Sequence, residues 1–265
     1  MNHKIENFPF EEEPGEELGR GYESIVRELG PDWVIKEFNP LKPDETPKHE
    51  KAYELSQSEK NIKELQETQR FLQSASIFGE NIIPSYWVLG QDETGNKKYF
   101  TIQKRFNGDT LESIVESQDS KEKYDDRFGK FFTEHPILRE QMVHLIWGSK
   151  KALVEMGVFD DFHPDNIAVV NEEDGKQKLK IFDIQNMVKT KRLLYEDPNC
   201  PLESKQNILK NTERHATRLE RFQKWLNVTE EERQALDTEF GLENNAYENS
   251  VSRLLAMWEI VKEQK

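Results

Sequence analysis

The sequence predicts an α+β fold in two lobes, and three observations support this prediction. Strand-like runs predominate before residue 105, helical periodicity predominates after it, and the exceptions are one long helical pattern in the first part and one hairpin in the second. Strands and helices that are segregated along a chain are typical of α+β folds or of two lobes. We place the connection between the lobes at Gln103–Gly108. The predicted organisation is an acidic, loosely ordered lead at 1–15, a strand-rich lobe at 16–105 and a helical lobe at 106–265.

The positions of proline and glycine and the spacing of apolar residues predict the elements of the strand-rich lobe. Residues 48–75 contain no proline or glycine, and leucine and isoleucine recur there at helical spacing, which predicts one long helix. Two later apolar runs are separated by polar residues and a glycine, which indicates a hairpin. In order, the elements are a strand at Trp33–Phe38, a loop with three prolines at Asn39–Pro47, the helix at 48–75, and a hairpin of Ile82–Leu89 with Lys98–Lys104.

The helical lobe is predicted in the same way. Apolar residues separated by three or four positions run from Leu138 to Met156 and predict a long helix. Asp109–Glu112 has the form of a capping box that opens a short helix, and the polar stretch 117–130 is predicted as a surface loop. The remaining elements are a hairpin of Ile167–Val170 with Leu179–Phe182, a helix through Ile208–Leu226, a helix capped by Thr229 with Glu232, and a last helix through Val251–Val261.

The composition excludes several classes of protein. There are 37 lysines and arginines against 51 aspartates and glutamates, so the net charge is −14. No large basic field is then available for non-specific binding to nucleic acid or to an anionic membrane. The single cysteine, Cys200, excludes a disulfide framework and a cysteine-rich zinc site. No apolar run could span a bilayer, and residues 1–13 lack the apolar segment of a signal peptide, so a cytoplasmic location is expected.

A glycine-containing segment near the start of the chain, Leu18–Val26, has the pattern GxGxxSxV. Glycine lets backbone N–H groups approach phosphate oxygens closely, so a loop of this kind between two strands could cover a nucleotide. An ordinary turn is the alternative. Lys36 follows inside the apolar run Val34-Ile35-Lys36. It is either a cation that reaches phosphates or a side chain on the solvent face of its strand.

The most specific segment is Val158–Val169, which lies between a long helix and a strand-like run. It contains Asp161-Phe162-His163-Pro164-Asp165-Asn166. Such a turn can direct the Asp161 carboxylate and the Asn166 amide into one cavity, where a carboxylate orients a hydroxyl proton and an amide oxygen binds Mg²⁺. Asp183 ends the next apolar run and would add a second oxygen ligand there. The alternative is that these residues only form a turn.

In this order the segments resemble the protein-kinase-like superfamily. The matched features are the glycine-rich loop, Val-Ile-Lys at 34–36, a long helix, a connection near 103–108, a catalytic loop at 159–166 and an aspartate at 183. The D-x-H-P-x-N form of the catalytic loop is similar to that of aminoglycoside-phosphotransferase-like and other small bacterial or phage kinases. The resemblance covers roughly residues 15–190. It implies a small strand-rich lobe and a helical lobe, with the matched residues lining a cleft between them.

The resemblance also implies a role for each matched residue. The implied assignments are Gly19, Gly21 and Ser24 over the phosphates, Lys36 with Glu67 at the α- and β-phosphates, Asp161 at the acceptor hydroxyl, and Asn166 with Asp183 at Mg²⁺. Several glutamates of the long helix could pair with the lysine. Glu67 is the first choice because it precedes the last apolar pair of that helix, and Glu64 is the second.

The sequence departs from the family pattern at several positions. Phe159 stands where a histidine is often found, Ser24 replaces the third glycine, and Asp183-Ile184-Gln185 replaces Asp-Phe-Gly. The 82 residues after Asp183 contain no Ala-Pro-Glu motif, which disfavours a eukaryotic-type protein kinase controlled by its activation loop. Because every residue with an implied role in phosphate or metal binding is present, an active enzyme is favoured over an inactive one.

The expected function is therefore transfer of the γ-phosphoryl group of ATP, with Mg²⁺, to a hydroxyl group. Positioning and charge neutralisation would supply the catalysis. The acceptor is either a protein serine or threonine or a small molecule, and no motif of the helical lobe decides between them. Two other functions use the same fold: transfer of a nucleotidyl group, and an interaction module without turnover. No nucleic acid or membrane is expected among the partners.

Overall fold

The structure is a computed structural model, and it describes most of both predicted lobes. The described residues are 14–20, 24–38, 62–63, 66–74, 77–91, 97–117, 123–157, 162–172, 174–182 and 202–263. Of the candidate site residues, Gly21, Glu64, Asp161 and Asp183 lie outside this part of the chain. Every helix within it is too short or too polar to cross a bilayer.

Five antiparallel strands form the first sheet, in the order β1-β2-β3-β5-β4. The strands are β1 (Glu17–Arg20), β2 (Ser24–Leu29), β3 (Trp33–Phe38), β4 (Ser85–Gln91) and β5 (Lys97–Lys104). The predicted strand at 33–38 and the hairpin that follows the long helix are both confirmed. One face of the sheet packs a core of its own, which consists of Leu29, Ile35, Val88, Phe100 and Ile102. Side chains alternate between faces along a strand, so the neighbouring residues point to the second face.

A helix at 66–72, α1, packs along the outer edge of β4. Gln66 Nε2 donates to Trp87 O at 3.0 Å, Trp87 N donates to Gln69 Oε1 at 2.8 Å, and Gln73 Nε2 donates to Ser85 O at 3.0 Å. These glutamines satisfy edge-strand groups that no further strand pairs, which protects an otherwise open edge. The predicted helix at 48–75 is confirmed over 66–72, and its residues 48–61 are outside the described part.

The helical lobe begins with a short strand that the sequence did not predict. Its elements are β6 (Gly108–Thr110), α2 (Leu111–Glu116), α3 (Tyr124–Glu134), α4 (Pro136–Met156), β7 (Ile167–Asn171), β8 (Gln177–Ile181), α5 (Leu202–Trp225), α6 (Glu230–Phe240) and α7 (Ala246–Glu263). Strands β6, β7 and β8 form a second, antiparallel sheet. The predicted long helix, the second hairpin and the three final helices are confirmed.

Two predictions for the start of this lobe are wrong. The stretch 117–130 is not all loop, because α3 begins at Tyr124. Four aromatic residues of α3 occur at helical spacing and bury one side of it, and the Phe128 ring stacks on Trp225 at 4.2 Å between centroids. The capping of α2 is also shifted by one residue. The Thr110 hydroxyl accepts from Ser113 N at 3.1 Å, so Thr110, and not Asp109, is the cap.

The two lobes share one hydrophobic core through the segment that follows α1. Ile77, Phe78 and Ile82 are buried together with residues of α4, β7 and β8. Ile83 N donates to Ile181 O at 2.8 Å, which joins this segment to β8. Gly148 of α4 lies so close to Ile77 that a Cβ atom there would be 2.6 Å from its carbonyl oxygen. These contacts fix the position of β8, and with it Phe182, relative to the strand-rich lobe.

Candidate active site

Lys36 lies on the second face of the five-stranded sheet, in the middle of β3. Backbone register places it between Val26 of β2 and Thr101 of β5. Its side chain is only 8% exposed, and its Nζ is 5.8 Å from the centroid of the Phe182 ring. The structure therefore excludes the alternative of a solvent-facing lysine. Both faces of the sheet are covered, so strand alternation does not bring this residue to water.

The turn after α4 is anchored by its own buried residues. Phe162 is fully buried and meets Phe222 of α5 edge to face, with 5.0 Å between ring centroids. Pro164 is buried and starts a 3₁₀ turn at Pro164–Asn166. Asn166 N donates to His163 O at 2.8 Å, which closes the turn. The half-buried Asn166 is thus held at the start of β7.

Phe182 connects the turn to the lysine. Its backbone N donates to Asn166 O at 2.9 Å, and its ring lies 4.9 Å from the ring of Phe106 in the connecting segment. The structure therefore brings Lys36, Asn166 and the residue before Asp183 together between the lobes. Asp161 and Asp183 are outside the described residues, and their roles stay predictions. Phe182, the chain neighbour of Asp183, lies at this site, whereas Phe162, the neighbour of Asp161, is buried in the core of the helical lobe.

The glycine-containing segment lies at the edge of the same sheet. Gly19 of β1 pairs with Val26 of β2, and Ser24 opens β2 opposite Phe38 of β3. A Cβ atom added at Gly19 would meet nothing within 4 Å, so the fold itself does not require a glycine there. Residues 21–23 are outside the described part, and Gly21 with them. The predicted flap of two strands is present, and its contact with phosphates stays a prediction.

Glu67 is placed on the exposed side of α1. The buried side of this helix carries Thr68, Gln69 and Leu72. Because Glu67 is exposed whereas Lys36 is buried, the structure adds no support to that pairing. Glu64, the second choice, is outside the described part. The carboxylate partner of Lys36 stays a prediction.

Gln103 is a residue of this site that the sequence analysis missed. It pairs with Val34 in the register of β3 and β5, so its side chain shares the face of Lys36. The side chain is 3% exposed, and within the described part of the chain its Oε1 has no hydrogen-bond partner. A buried acceptor of this kind requires an N–H or O–H donor. The signal in the sequence is the alternation of polar Thr101 and Gln103 with apolar residues in a strand that is covered on both faces.

A second polar cluster, also missed, flanks the turn. Glu112, His163 and Asp165 offer ligand atoms that all lie within 4.8 Å of one another. The Tyr124 hydroxyl donates to Glu112 Oε1 at 2.8 Å and to Oε2 at 2.6 Å. Burial raises the pKa of Glu112, and this hydrogen bond offsets part of the rise. The cluster can accept hydrogen bonds from hydroxyl or ammonium groups beside Asn166. Glu112 precedes His163 by 51 residues, so spacing alone could not reveal the cluster.

ATP and Mg²⁺ fit the residues that are present. A buried lysine faces the cleft, an open strand edge carries Gly19, and Gln103 Oε1 can accept from an amino group of a base. Asn166 contributes an amide oxygen, which with a carboxylate from Asp183 is a donor set suited to Mg²⁺. This fit concerns the chemistry of the residues, since Asp183 itself is outside the described part.

Several solved structures are similar to this chain, and a kinase domain is among them. The PknI kinase domain of Mycobacterium tuberculosis is 12% identical, with a TM-score of 0.41, over 64% of this chain and 58% of that one. Rad53 in complex with AMP-PNP is 15% identical, with a TM-score of 0.38, over 94% of this chain and 60% of that one. The CAK complex of Chaetomium thermophilum bound to ATP-γ-S is 12% identical, with a TM-score of 0.38, over 70% and 48%. The chain thus spans less than two thirds of each.

No protein-family model matches the chain, and no curated protein matches it. The fold is shown by the elements themselves. A five-stranded antiparallel sheet with its helix is followed by one connecting segment, and then by a helical lobe. In that lobe an anchored turn leads into a hairpin that ends beside the lysine of the sheet. The chain has a two-lobed α+β fold, with a strand-rich lobe before the connection and a helical lobe after it.

Proposed function

We propose that the protein is an ATP- and Mg²⁺-dependent phosphotransferase that moves the γ-phosphoryl group to a hydroxyl acceptor. The observation that carries this proposal is the convergence at Phe182. Its ring lies 5.8 Å from Lys36 Nζ, and its backbone N donates to Asn166 O. The Lys36 cation, the backbone of Asn166 and the chain position just before Asp183 thus lie near one another between the lobes. Phosphoryl transfer by this kind of site needs positioning and charge stabilisation more than covalent chemistry.

Each candidate site residue then has a defined role. Lys36 binds phosphate oxygens through its ammonium group. Its side chain is buried, so water screens this charge little. Asp161 orients the acceptor hydroxyl and accepts its proton. Asn166 and Asp183 hold Mg²⁺, which when bound neutralises charge on the phosphate oxygens. Gln103 accepts from the base, and the rings of Phe106 and Phe182 exclude water from that side of the cleft.

The polar cluster beside the turn supports a hydroxyl acceptor. Glu112 and Asp165 present carboxylate oxygens next to Asn166, and Tyr124 holds Glu112 in place. Carboxylates at this position suit a hydroxyl- or amine-bearing acceptor better than an anionic one. The cluster is consistent with either a small molecule or a serine- or threonine-bearing segment, because both present such groups.

Labelled ATP tests the reaction directly. The full chain is incubated with Mg²⁺ and with γ- or α-labelled ATP, and label is followed on protein and in small-molecule products. Transfer of the γ label supports the proposal. Transfer of the α label would instead indicate nucleotidyl transfer, and calorimetry that shows no nucleotide binding would indicate an interaction module.

Substitutions in the same assay separate the roles. Lys36→Met should weaken ATP binding or turnover by roughly ten- to a hundredfold, because a charge-assisted contact to phosphate is lost. Lys176→Met is the matched control, since Lys176 is an exposed lysine of the β7–β8 turn. Asp183→Asn should reduce Mg²⁺-dependent affinity, whereas Asp161→Asn should spare affinity and reduce turnover by about 10²–10⁴. Unchanged binding and turnover in Lys36→Met would contradict the proposal.

A further inference from the structure

A cavity of about 540 Å³ lies between the lobes at the connecting segment. Three parts of the chain line it. They are the segment from α1 into β4, the connection Lys104–Asn107, and the β7–β8 hairpin. Its volume is within the range of about 300–1,000 Å³ found for small-molecule sites. Of the described residues assigned above to the nucleotide or to Mg²⁺, none lines it. We propose that this cavity is a second binding site, which takes a small organic anion.

Part of the cavity wall is apolar. Ile82 and Ile83 are each 4% exposed, and Val170 and Phe106 extend the same surface from the hairpin and the connection. Tyr86, which is 43% exposed, also lines the cavity, and its ring lies 5.8 Å from that of Trp33. A ligand with an aromatic or aliphatic body would cover this surface and remove it from water.

The charged groups at the cavity favour an anion. Three cations line it, Lys104, Arg105 and Lys180, against one carboxylate, Glu80. This local excess of positive charge is opposite in sign to the net charge of the chain, which is −14. Two of the cations already have partners, because Arg105 pairs with Glu28 at 3.3 Å and Lys180 pairs with Glu172 at 2.8 Å.

Lys104 differs from the other two cations. Its side chain is exposed, and no ion pair of the described residues includes its ammonium group. Its backbone N donates to Pro84 O at 2.8 Å, which fixes the residue at the edge of the cavity. Glu80, the one carboxylate that the described residues contribute to the lining, pairs with Lys178 at 3.1 Å. A ligand carboxylate or phosphate at Lys104 would therefore meet a positive charge that nothing in this part of the chain neutralises.

A ligand at this site would contact both lobes and the connection at once. It would favour the relative position of the lobes in which the cavity has its present shape, and it would leave the Lys36 site open. The inference does not rest on the proposed phosphotransfer, because it depends only on the shape and charge of the cavity.

Binding of phenyl phosphate to the full chain tests the proposal, with isothermal titration calorimetry as the measurement. Inorganic phosphate supplies the charge without the apolar body, and phenol supplies the body without the charge. We expect saturable binding of phenyl phosphate and binding about tenfold weaker or absent for the other two probes. Equal affinity for inorganic phosphate would overturn the apolar part of the proposal, and equal affinity for phenol would overturn the anionic part. Absence of saturable phenyl phosphate binding would overturn it entirely.

Three variants locate the site. Lys104→Met should weaken phenyl phosphate binding by about tenfold, and the exposed position of this residue should leave folding intact. Lys123→Met is the matched control, since Lys123 is an exposed lysine outside the cavity. Lys36→Met should have no effect on this probe. Loss of binding in Lys36→Met with retention in Lys104→Met would place the anion in the cleft and overturn the proposal.

Discussion

At the scale of single residues, the Gln103 side chain lowers the stability of the free protein and can favour ligand binding. Its Oε1 is buried without a hydrogen-bond partner among the described residues. An unsatisfied buried polar group costs about 1–3 kcal/mol, whereas an apolar side chain of the same shape costs nothing of this kind. A group that destabilises the free protein is informative when it lies on the face of a proposed binding site, because a ligand can supply the missing donor.

Gln103→Met should therefore have two effects of opposite sign. We expect the free energy of unfolding to rise by about 1 kcal/mol, because the orphan acceptor is removed. We expect ATP affinity to fall by about tenfold, because the amino group of the base loses its acceptor. Denaturant unfolding and calorimetry measure the two quantities. The matched control is Gln223→Met, which should only destabilise, since Gln223 Oε1 accepts from the buried Lys150 at 3.2 Å. If Gln103→Met were less stable than the unsubstituted protein, the Gln103 amide would have to be hydrogen-bonded in the free protein.

At the scale of elements, a glycine sets the distance between α4 and the segment that follows α1. A Cβ atom at Gly148 would lie 2.6 Å from Ile77 O and 3.3 Å from the Phe78 ring. A backbone carbonyl cannot move aside as a side-chain tip can. The glycine is thus required by close packing, although glycine inside a helix is otherwise unfavourable by about 0.5–1 kcal/mol relative to alanine.

Gly148→Ala should destabilise the protein by about 1–3 kcal/mol, because the new methyl group forces the helix and the segment apart. The matched control is Gly129→Ala in α3, where the nearest atom to a Cβ is Trp225 O at 3.7 Å. This control should be stabilising by about 0.5–1 kcal/mol, since only helix propensity changes. Chemical denaturation measures both variants. Equal effects in the two would contradict the close approach at Gly148.

The contact between α4 and α6 makes stability depend on pH. Arg139 donates to both carboxylate oxygens of Glu232, at 2.9 and 2.8 Å, and its Nε donates to Leu226 O at 2.9 Å. The hydrogen bonds from Arg139 hold the pKa of Glu232 below its ordinary value of 4.5. Since the folded pKa is lowered, the stabilisation is fully present above pH 4.5 and is lost as the pH falls below it through the folded pKa.

Glu232→Gln should reduce the free energy of unfolding by about 1 kcal/mol at neutral pH. The difference from the unsubstituted protein should shrink as the pH falls below 4.5. Glu230→Gln on the same helix is the control. Glu230 pairs with Arg233 in an exposed position, so its loss should matter less. Unfolding curves across this pH range measure both variants. A difference that persists unchanged at low pH would show that the carboxylate charge is not the cause.

The sequence predicts elements well where one face is buried and the other is solvated. The spacing of Leu138 to Met156 and the hairpin at 167–182 are of this kind, and both are confirmed. It fails where both faces are covered, because polar residues then look solvent-exposed. Gln103, whose side chain is buried, was missed for this reason. It also fails in α3, where charged residues on the exposed side conceal the aromatic stripe, and at the cluster of Glu112 with His163, which only tertiary contacts bring together.

At the scale of the whole molecule, the boundary between the two hydrophobic cores does not follow the boundary between the lobes. Leu72, Ile77, Phe78 and Ile82 precede the connection in sequence and yet belong to the core of the helical lobe. The five-stranded sheet keeps only a small core around Phe100. The division at 105/106 stays a prediction about sequence segments, and it does not coincide with the boundary between the two cores. The site between the lobes is built on this overlap, since β8 is joined to Ile83 by a backbone hydrogen bond.

Two matched substitutions test this arrangement. Phe78 and Phe100 are 4% and 1% exposed, so Phe→Ala removes a similar buried surface at each, and about 3–5 kcal/mol of stability is at stake. Far-ultraviolet circular dichroism reports mainly the helices, and six of those within the described residues lie after the connection. We expect Phe78→Ala to lower the denaturant midpoint of this helical signal by its full effect, although the residue precedes the connection. Phe100→Ala should lower it less, because its core is confined to the sheet. If Phe78→Ala left the helical transition in place while Phe100→Ala shifted it, the shared core would not be what stabilises the helical lobe.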